Sequence, residues 1–404
     1  MKRMILLALV LALALILAFP AAAQSSASAW SAYLFESTSQ QLTRVYSDGT
    51  QQIYDLGLGA ETFVGHDAID FAPDGNRVGY CTSANTVDGS VAALIVRDIT
   101  NANPQAINLG LGAAGGCWVK FNADASQIAV GVVRYYAGDP NADASLPPWS
   151  LLVFDAVTGN QLYEMNPLKG NSIFNPAQTF MPQVRYFANN QIIFAGIPWG
   201  TEGTPSSPAY FWQLSDDSIQ PIDRWWRWGQ DSLVSTGELV WTELDPTRAA
   251  AEPGGPLPQA NTVKLADKSG QERVIYINPD WVILDTQFID NGRQLAINEL
   301  QGADPNSSLG SQPSRWIALD RSGTTSVLAT TLGFSQMLPA PDGYAILWAS
   351  DNSVTPLMSL DYYSGREKTT LWQQQGNGGV TWSLLWTSPT ATADGLQPFT
   401  TVSP

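Results

Sequence analysis

The sequence predicts an all-β fold: one ring of four-stranded antiparallel blades, seven of them, with six or eight as the alternatives. Three observations predict it. Gly (34) and Pro (26) are plentiful, aromatic residues make up 10% of 404 positions and charged residues only 14%, a mixture suited to many short strands joined by turns. Helical periodicity is missing along the chain. A strand–turn–strand unit recurs at intervals of 46 to 66 residues, the mark of a repeat architecture.

The N-terminus comes first. Lys2 and Arg3, the apolar run 4–19, Pro20 and Ala21-Ala22-Ala23 have the three parts of a secretory signal peptide. Cleavage after Ala23 would leave residues 24–404, with a net charge two units more negative than the −16 of the whole chain. An uncleaved anchor is the alternative, but the apolar run is shorter than the about 20 residues that a comfortable span needs. Export to the periplasm, the cell envelope or the medium is therefore expected, with no membrane span after cleavage. The acidic balance repels phosphate backbones, so nucleic acid is a poor partner. Cys81 and Cys117 are the two cysteines. In an exported protein they are a disulfide candidate, two buried thiols being the alternative.

The repeats follow. Aligned on the residue before the turn they are Phe71 (FAPDG), Phe121 (FNADA), Phe187 (FANNQ), Leu233 (LVSTG), Phe288 (FIDNG) and Pro339 (PAPDG). Each turn leads to a second strand, such as NRVGYCTS, SQIAVGVV or RQLAINEL. A spacer of variable length and a third strand come next (ALIVRD, LLVFDA, AYFWQL, TVKLAD, WIALDR, LMSLDY), then a polar turn and a fourth strand. Four antiparallel strands per repeat describe a β-propeller. Residues 32–56 hold three strands of a blade that lacks its first, and 380–388 hold an orphan strand. Pairing 380–388 with 32–37 closes the ring and hides two sheet edges. The Pro-, Ser-, Thr- and Ala-rich end, 389–404, reads as a disordered tail.

IDFAPDGNRVGY followed by ALIVRD resembles the WD-repeat-like propeller units of TolB-type proteins of the bacterial envelope. The resemblance spans about 355 residues as repeat grammar, although Pro-Asp-Gly survives in only two units. TolB-type propellers usually have six blades, so function is not carried over. What the resemblance implies is a propeller that binds proteins or small ligands through one face. Asp74 and Asp342 recur at matching turns, which marks turn-formers rather than catalytic acids.

In such a ring the connections between strands one and two, and three and four, share one face; the others share the opposite face. The extra length falls on the second set: 134–149, 198–208, 245–261 and 301–314, with the blade-to-blade segments 166–183 and 222–230. Long connections in a compact domain are commonly functional. The candidate binding residues on that face are Tyr135, Tyr136, Trp149, Trp199, His66, and Arg224, Trp225 and Trp228 of DRWWRWGQ, unless the tryptophans are wedged between blades as core.

Catalytic signals are weak. A single histidine excludes multi-histidine zinc sites, and no Gly-x-Ser-x-Gly elbow occurs. Asp139, Asn141 and Asp143 alternate as calcium ligands do, but Ala144 and Ser150 stand where such a loop needs glycine and an acid. Neither a phosphate loop nor a dinucleotide fingerprint is present, so no cofactor is expected. The reading is a monomeric, non-catalytic propeller offering one aromatic face to a protein or glycan of the envelope or extracellular space. The alternative is a carbohydrate-active enzyme using acids such as Asp139, Glu202 and Asp245.

Overall fold

The computed structural model describes residues 30–36, 38–56, 68–83, 92–99, 107–110, 116–134, 146–169, 173–174, 180–188, 190–198, 206–227, 231–233, 236–244, 260–267, 269, 271–301, 313–332, 335–349, 357–365, 367–375, 382–389 and 394–402. They form seven four-stranded antiparallel sheets. Blade 1 contains β1 (Ser31–Glu36), β2 (Gln41–Tyr46) and β3 (Gln51–Asp55). Blade 2 is β4 (Ile69–Phe71), β5 (Arg77–Ser83), β6 (Ala92–Asp98) and β7 (Ile107–Gly110). Blade 3 is β8 (Gly116–Phe121), β9 (Gln127–Val133), β10 (Trp149–Asp155) and β11 (Gln161–Met165). Blade 4 is β12 (Phe180–Ala188), β13 (Gln191–Pro198), β14 (Ser206–Gln213) and β15 (Ser218–Arg227). Blade 5 is β16 (Asp231–Leu233), β17 (Glu238–Leu244), β18 (Ala260–Ala266) and β19 (Glu272–Ile277). Blade 6 is β20 (Trp281–Ile289), β21 (Gln294–Gln301), β22 (Pro313–Asp320) and β23 (Thr325–Leu332). Blade 7 is β24 (Ser335–Ala340), β25 (Gly343–Ala349), β26 (Leu357–Ser364) and β27 (Glu367–Gln375).

The last strand, β28 (Trp382–Thr387), supplies the missing innermost strand of blade 1. It pairs with β1 from Glu36↔Trp382 to Ala32↔Thr387, with a register shift between Tyr33 and Leu34. The orphan strand and the incomplete blade thus complete one another, as the repeat count requires.

Burial follows the radius of each blade. The middle strands β1, β9 and β10 are buried on both faces, because blades lie against a neighbour on either side, and their sequences are continuous apolar runs. Outer strands such as β3 and β27 are mostly exposed. Their Gln-, Lys- and Thr-rich sequences keep the free edges from pairing with other chains. Apolar clusters fill the spaces between blades; Val240, Val263, Leu265 and Ile275 of blade 5 meet Ile283, Phe288, Leu295 and Ile317 of blade 6.

The two Pro-Asp-Gly turns differ in detail. In the first, Gly75 has φ +67°, and Asp74 accepts the Asn76 N–H at 3.0 Å. A Cβ on Gly75 would overlap the Trp386 ring of the closing strand. In the second, Asp342 itself takes the positive φ, +58°, in a two-residue hairpin between Ala340 and Gly343. Both aspartates are turn residues.

The turns between third and fourth strands share a second device. Asp48, Asp155, Asp216, Asp267 and Asp320 each accept the N–H two residues on, from Thr50, Val157, Ser218, Ser269 and Ser322. Turn donors hold all five carboxyls below the usual range: first a Thr or Ser hydroxyl, except at Asp155, where the Thr158 N–H leads. A depressed folded pKa gives stability that is present above the ordinary value of 3.8 and is lost as pH falls through the folded value. The melting temperature is therefore expected to hold down to about pH 4 and to fall below it, given the ordinary carboxyl range. A melting temperature unchanged between pH 5 and 2.5 would refute this.

The C-terminal end corrects the sequence reading of a disordered tail. Of residues 394–402, Gln397, Phe399, Thr400 and Val402 contact blades 5 and 6. Phe399 is 2% exposed within the apolar cluster between them, a burial worth about 1.5–3 kcal/mol for such a side chain. The low-complexity composition masks this single anchor.

Candidate functional site: the loop-rich face

Antiparallel order places the connections β9–β10, β13–β14, β17–β18 and β21–β22 at one end of the ring, together with every blade-to-blade connection. The connections at the other end are short turns, apart from 99–106 between β6 and β7. The loop-rich face expected from sequence is thus a property of the fold, although His66, Tyr135, Tyr136, Trp199 and Trp228 lie outside the described residues. So do Asp139, Asn141, Asp143, Glu202 and Asp245.

Two expectations about this face change. Trp149 is not surface: it opens β10 and is 0% exposed, with the rings of Phe174 and Phe180 each 5.0 Å away. DRWWRWGQ is not mainly a loop: its backbone continues β15 through Arg227, with Trp225 opposite Pro208 and Trp226 opposite Ser207. Aromatic residues favour strand, and pairing runs on past a register shift at Pro208, which has no N–H to donate. Arg224 and Trp225 are therefore strand positions in the outer strand of blade 4.

What the described part of the face holds is an aromatic layer and an apolar rim. Phe174, from the connection between β11 and β12, packs on Phe180 (5.1 Å), Tyr210 (4.9 Å) and Trp149. Phe194 and Tyr210 stack at 5.3 Å, and burial raises the Tyr210 pKa. On connections at the same end Leu146, Leu168 and Ile173 are exposed by about half, at 47%, 50% and 51%. All three flank the long connections of blades 3 and 4.

A second cluster lies at the same end, between blades 5 and 6, and the sequence reading missed it. Glu299 is wholly buried near the end of β21. One carboxylate oxygen accepts from the Tyr276 hydroxyl and the Asn278 amide, each at 2.6 Å; the other accepts from Arg315 Nε at 2.7 Å. Burial, then the hydrogen bond to Glu299, pushes the Tyr276 pKa far above the ordinary tyrosine value. The Arg315 guanidinium lies 4.1 Å from the centre of the Trp281 ring. One blade earlier, Glu243 stands at the equivalent position and pairs with Lys264. The signal was present as WTEL and INEL, an acid before the last leucine of two successive second strands.

The oxygens of Glu299 in blade 6 are taken by three donors, two of them, Tyr276 and Asn278, from the end of blade 5, so it staples the two blades. Among the described residues no group of three or more His, Cys, Asp or Glu could hold a metal. Cys81 of β5 and Cys117 of β8 are bonded across blades 2 and 3, with Cα atoms 6.3 Å apart.

The fold and this face define a seven-bladed β-propeller. The chain is similar in structure to prolyl oligopeptidase B from Galerina marginata, bound to a 25mer macrocyclization substrate, with a TM-score of 0.56 and 12% identity over 86% of this chain and 50% of that one. It is similar to oligopeptidase B from Leishmania major, with a TM-score of 0.51 and 10% identity over 86% and 49%. A third likeness, at a TM-score of 0.48 and 11% identity over 82% and 87%, is to the propeller domain of the Trilobed protease from Pyrococcus furiosus. The chain spans about half the length of the two oligopeptidases. No protein-family model and no curated protein matches it.

Proposed function

We propose that the protein is an exported, non-catalytic binding propeller whose loop-rich face captures a partner of the envelope or extracellular space, a protein in preference to a glycan. The observation that carries this is the rim of blades 3 and 4. Leu146, Leu168 and Ile173 stay exposed at the same end of the ring as the aromatic layer, and apolar and aromatic anchors dominate protein interfaces. The TolB-type and WD-repeat-like grammar of FAPDG and ALIVRD belongs to the same reading, as does the oligopeptidase character of the structural neighbours, which suits a polypeptide partner. A signal-like leader and a bonded cysteine pair support export.

The test is capture from an envelope extract on immobilised protein, in parallel with a glycan array. Leu168→Asp and Trp199→Ala are expected to weaken capture by about 1–3 kcal/mol each, the range of anchor truncations. Asp74→Asn is expected to change nothing, because that turn lies on the opposite face. Loss in Asp74→Asn with capture intact in the rim variants would put the working face on the other side. Binding on the array alone would make the partner a glycan. A native N-terminus at Met1 would sink export.

A further inference from the structure

The opposite face holds a site of its own. The chain leaves the seam at Thr387, where the Ser388 N–H donates to the Ser31 carbonyl at 3.0 Å. It is next described at the turns of blades 5 and 6, with blade 7 between them and the seam. There Phe399 enters the cluster between the blades, 6.4 Å from the Phe288 ring. Arg321 of the β22–β23 turn lies over the Phe399 ring, its guanidinium 4.4 Å from the ring centre. That guanidinium is held in place independently of the tail. Both Glu238 oxygens accept from it, at 3.1 and 2.7 Å, and the Gly292 carbonyl accepts its Nε–H at 2.8 Å.

The tail backbone is read as well. Arg321 Nη1 donates to the Gln397 carbonyl at 2.6 Å, the Thr400 N–H to the Arg321 carbonyl at 2.9 Å, and the Val402 N–H to the Val274 carbonyl at 3.0 Å. Val274 belongs to β19, the outer strand of blade 5, whose other edge is unpaired in the sheet. Main-chain bonds to a sheet edge supply affinity, and a side-chain pocket supplies selectivity; this is how domains recognise extended peptides. Residues 397–402 use both.

We propose that the groove between blades 5 and 6, built by Arg321, Glu238, Gly292 and Val274 around the Phe399 pocket, is a peptide-recognition site. Its resident ligand is the chain's own segment 397–402, docked in cis as a latch. One continuous piece of chain therefore performs two closures. β28 completes blade 1, and the latch ties the end of that piece to blades 5 and 6. Loss of the latch leaves the seam strand held by its ladder and its own side-chain packing, without this second tie. The site is separate from the loop-rich face, and its test is independent of any partner there.

The experiment uses the full chain and a fluorescent synthetic peptide of residues 394–404. Wild-type protein, its groove occupied, is expected to bind the peptide at least tenfold more weakly than Phe399→Ala, whose own tail is released. Phe399→Ala combined with Arg321→Ala removes the clamp and is expected to return binding to the wild-type level, as is a peptide carrying alanine in place of its phenylalanine. Hydrogen exchange reads the cis contact directly. The amides of Thr400 and Val402 are expected to be protected in the wild type and to exchange at least tenfold faster in Phe399→Ala. Thr400→Pro, which removes one backbone donor and keeps the aromatic anchor, is expected to release Val402 as well. Equal peptide binding by wild type and Phe399→Ala, or unchanged amide protection in both variants, would overturn the proposal. A dimer that dissociates in Phe399→Ala would assign the tail to a second copy and overturn docking in cis.

Discussion

Reduction of the Cys81–Cys117 bridge is expected to lower the unfolding free energy by about 3–4 kcal/mol, the loop-closure value for a ring of this size. The two residues are 36 apart in sequence, yet they sit on adjacent blades, so the bridge limits how far blades 2 and 3 can separate in the unfolded chain. Cys81 is buried with Leu94, Val119 and Phe121, and Cys117 packs against the same cluster. Reduction leaves that packing in place, and the loss should show as a lower denaturation midpoint with the folded signal unchanged. The double variant Cys81→Ser/Cys117→Ser should start from the lower midpoint and ignore reductant. Identical midpoints for wild type with and without dithiothreitol would show that the bridge contributes nothing to stability.

Gly131→Ala is expected to cost about 3 kcal/mol, the upper part of the range for overfilling a packed interior. Gly131 lies in the middle of β9, and a Cβ there would overlap the Pro182 carbonyl oxygen on β12 of the next blade, far inside contact distance. The obstacle is backbone. It cannot rotate away as the end of a side chain could, so blades 3 and 4 must move apart. The aromatic layer of Trp149, Phe180 and Phe194 lies in the same gap, and widening it would also loosen the rim that carries Leu168 and Ile173. Urea titration of the full chain checks the cost; a loss under about 0.5 kcal/mol, the size of ordinary surface changes, would show that the blades tolerate the extra methyl.

The repeat was legible because each blade solves the same local problem. A first strand must end in a tight turn, so Phe71, Phe121, Phe288 and Pro339 stand at or near the ends of β4, β8, β20 and β24. Turn chemistry acts over a few residues and leaves its mark in composition and spacing. The candidate site was legible only in part. That the long connections share one face follows from strand order alone. Whether an aromatic residue near such a connection is surface or core does not: Trp149 is core, and the DRWWRWGQ backbone is strand through Arg227 where a loop was expected.

Blade number, ring closure and the two faces are determined by the sequence itself, since they rest on alternation, turn residues and the count of strands between turns. Tertiary structure decided the rest. Glu299 meets Tyr276, Cys81 meets Cys117, Gly131 lies under Pro182, and Phe399 finds a pocket around the ring from the strand that precedes it. Each is a contact between blades or between tail and blade. Such contacts depend on how neighbouring sheets twist and stack, a long-range geometry that no local run of residues encodes.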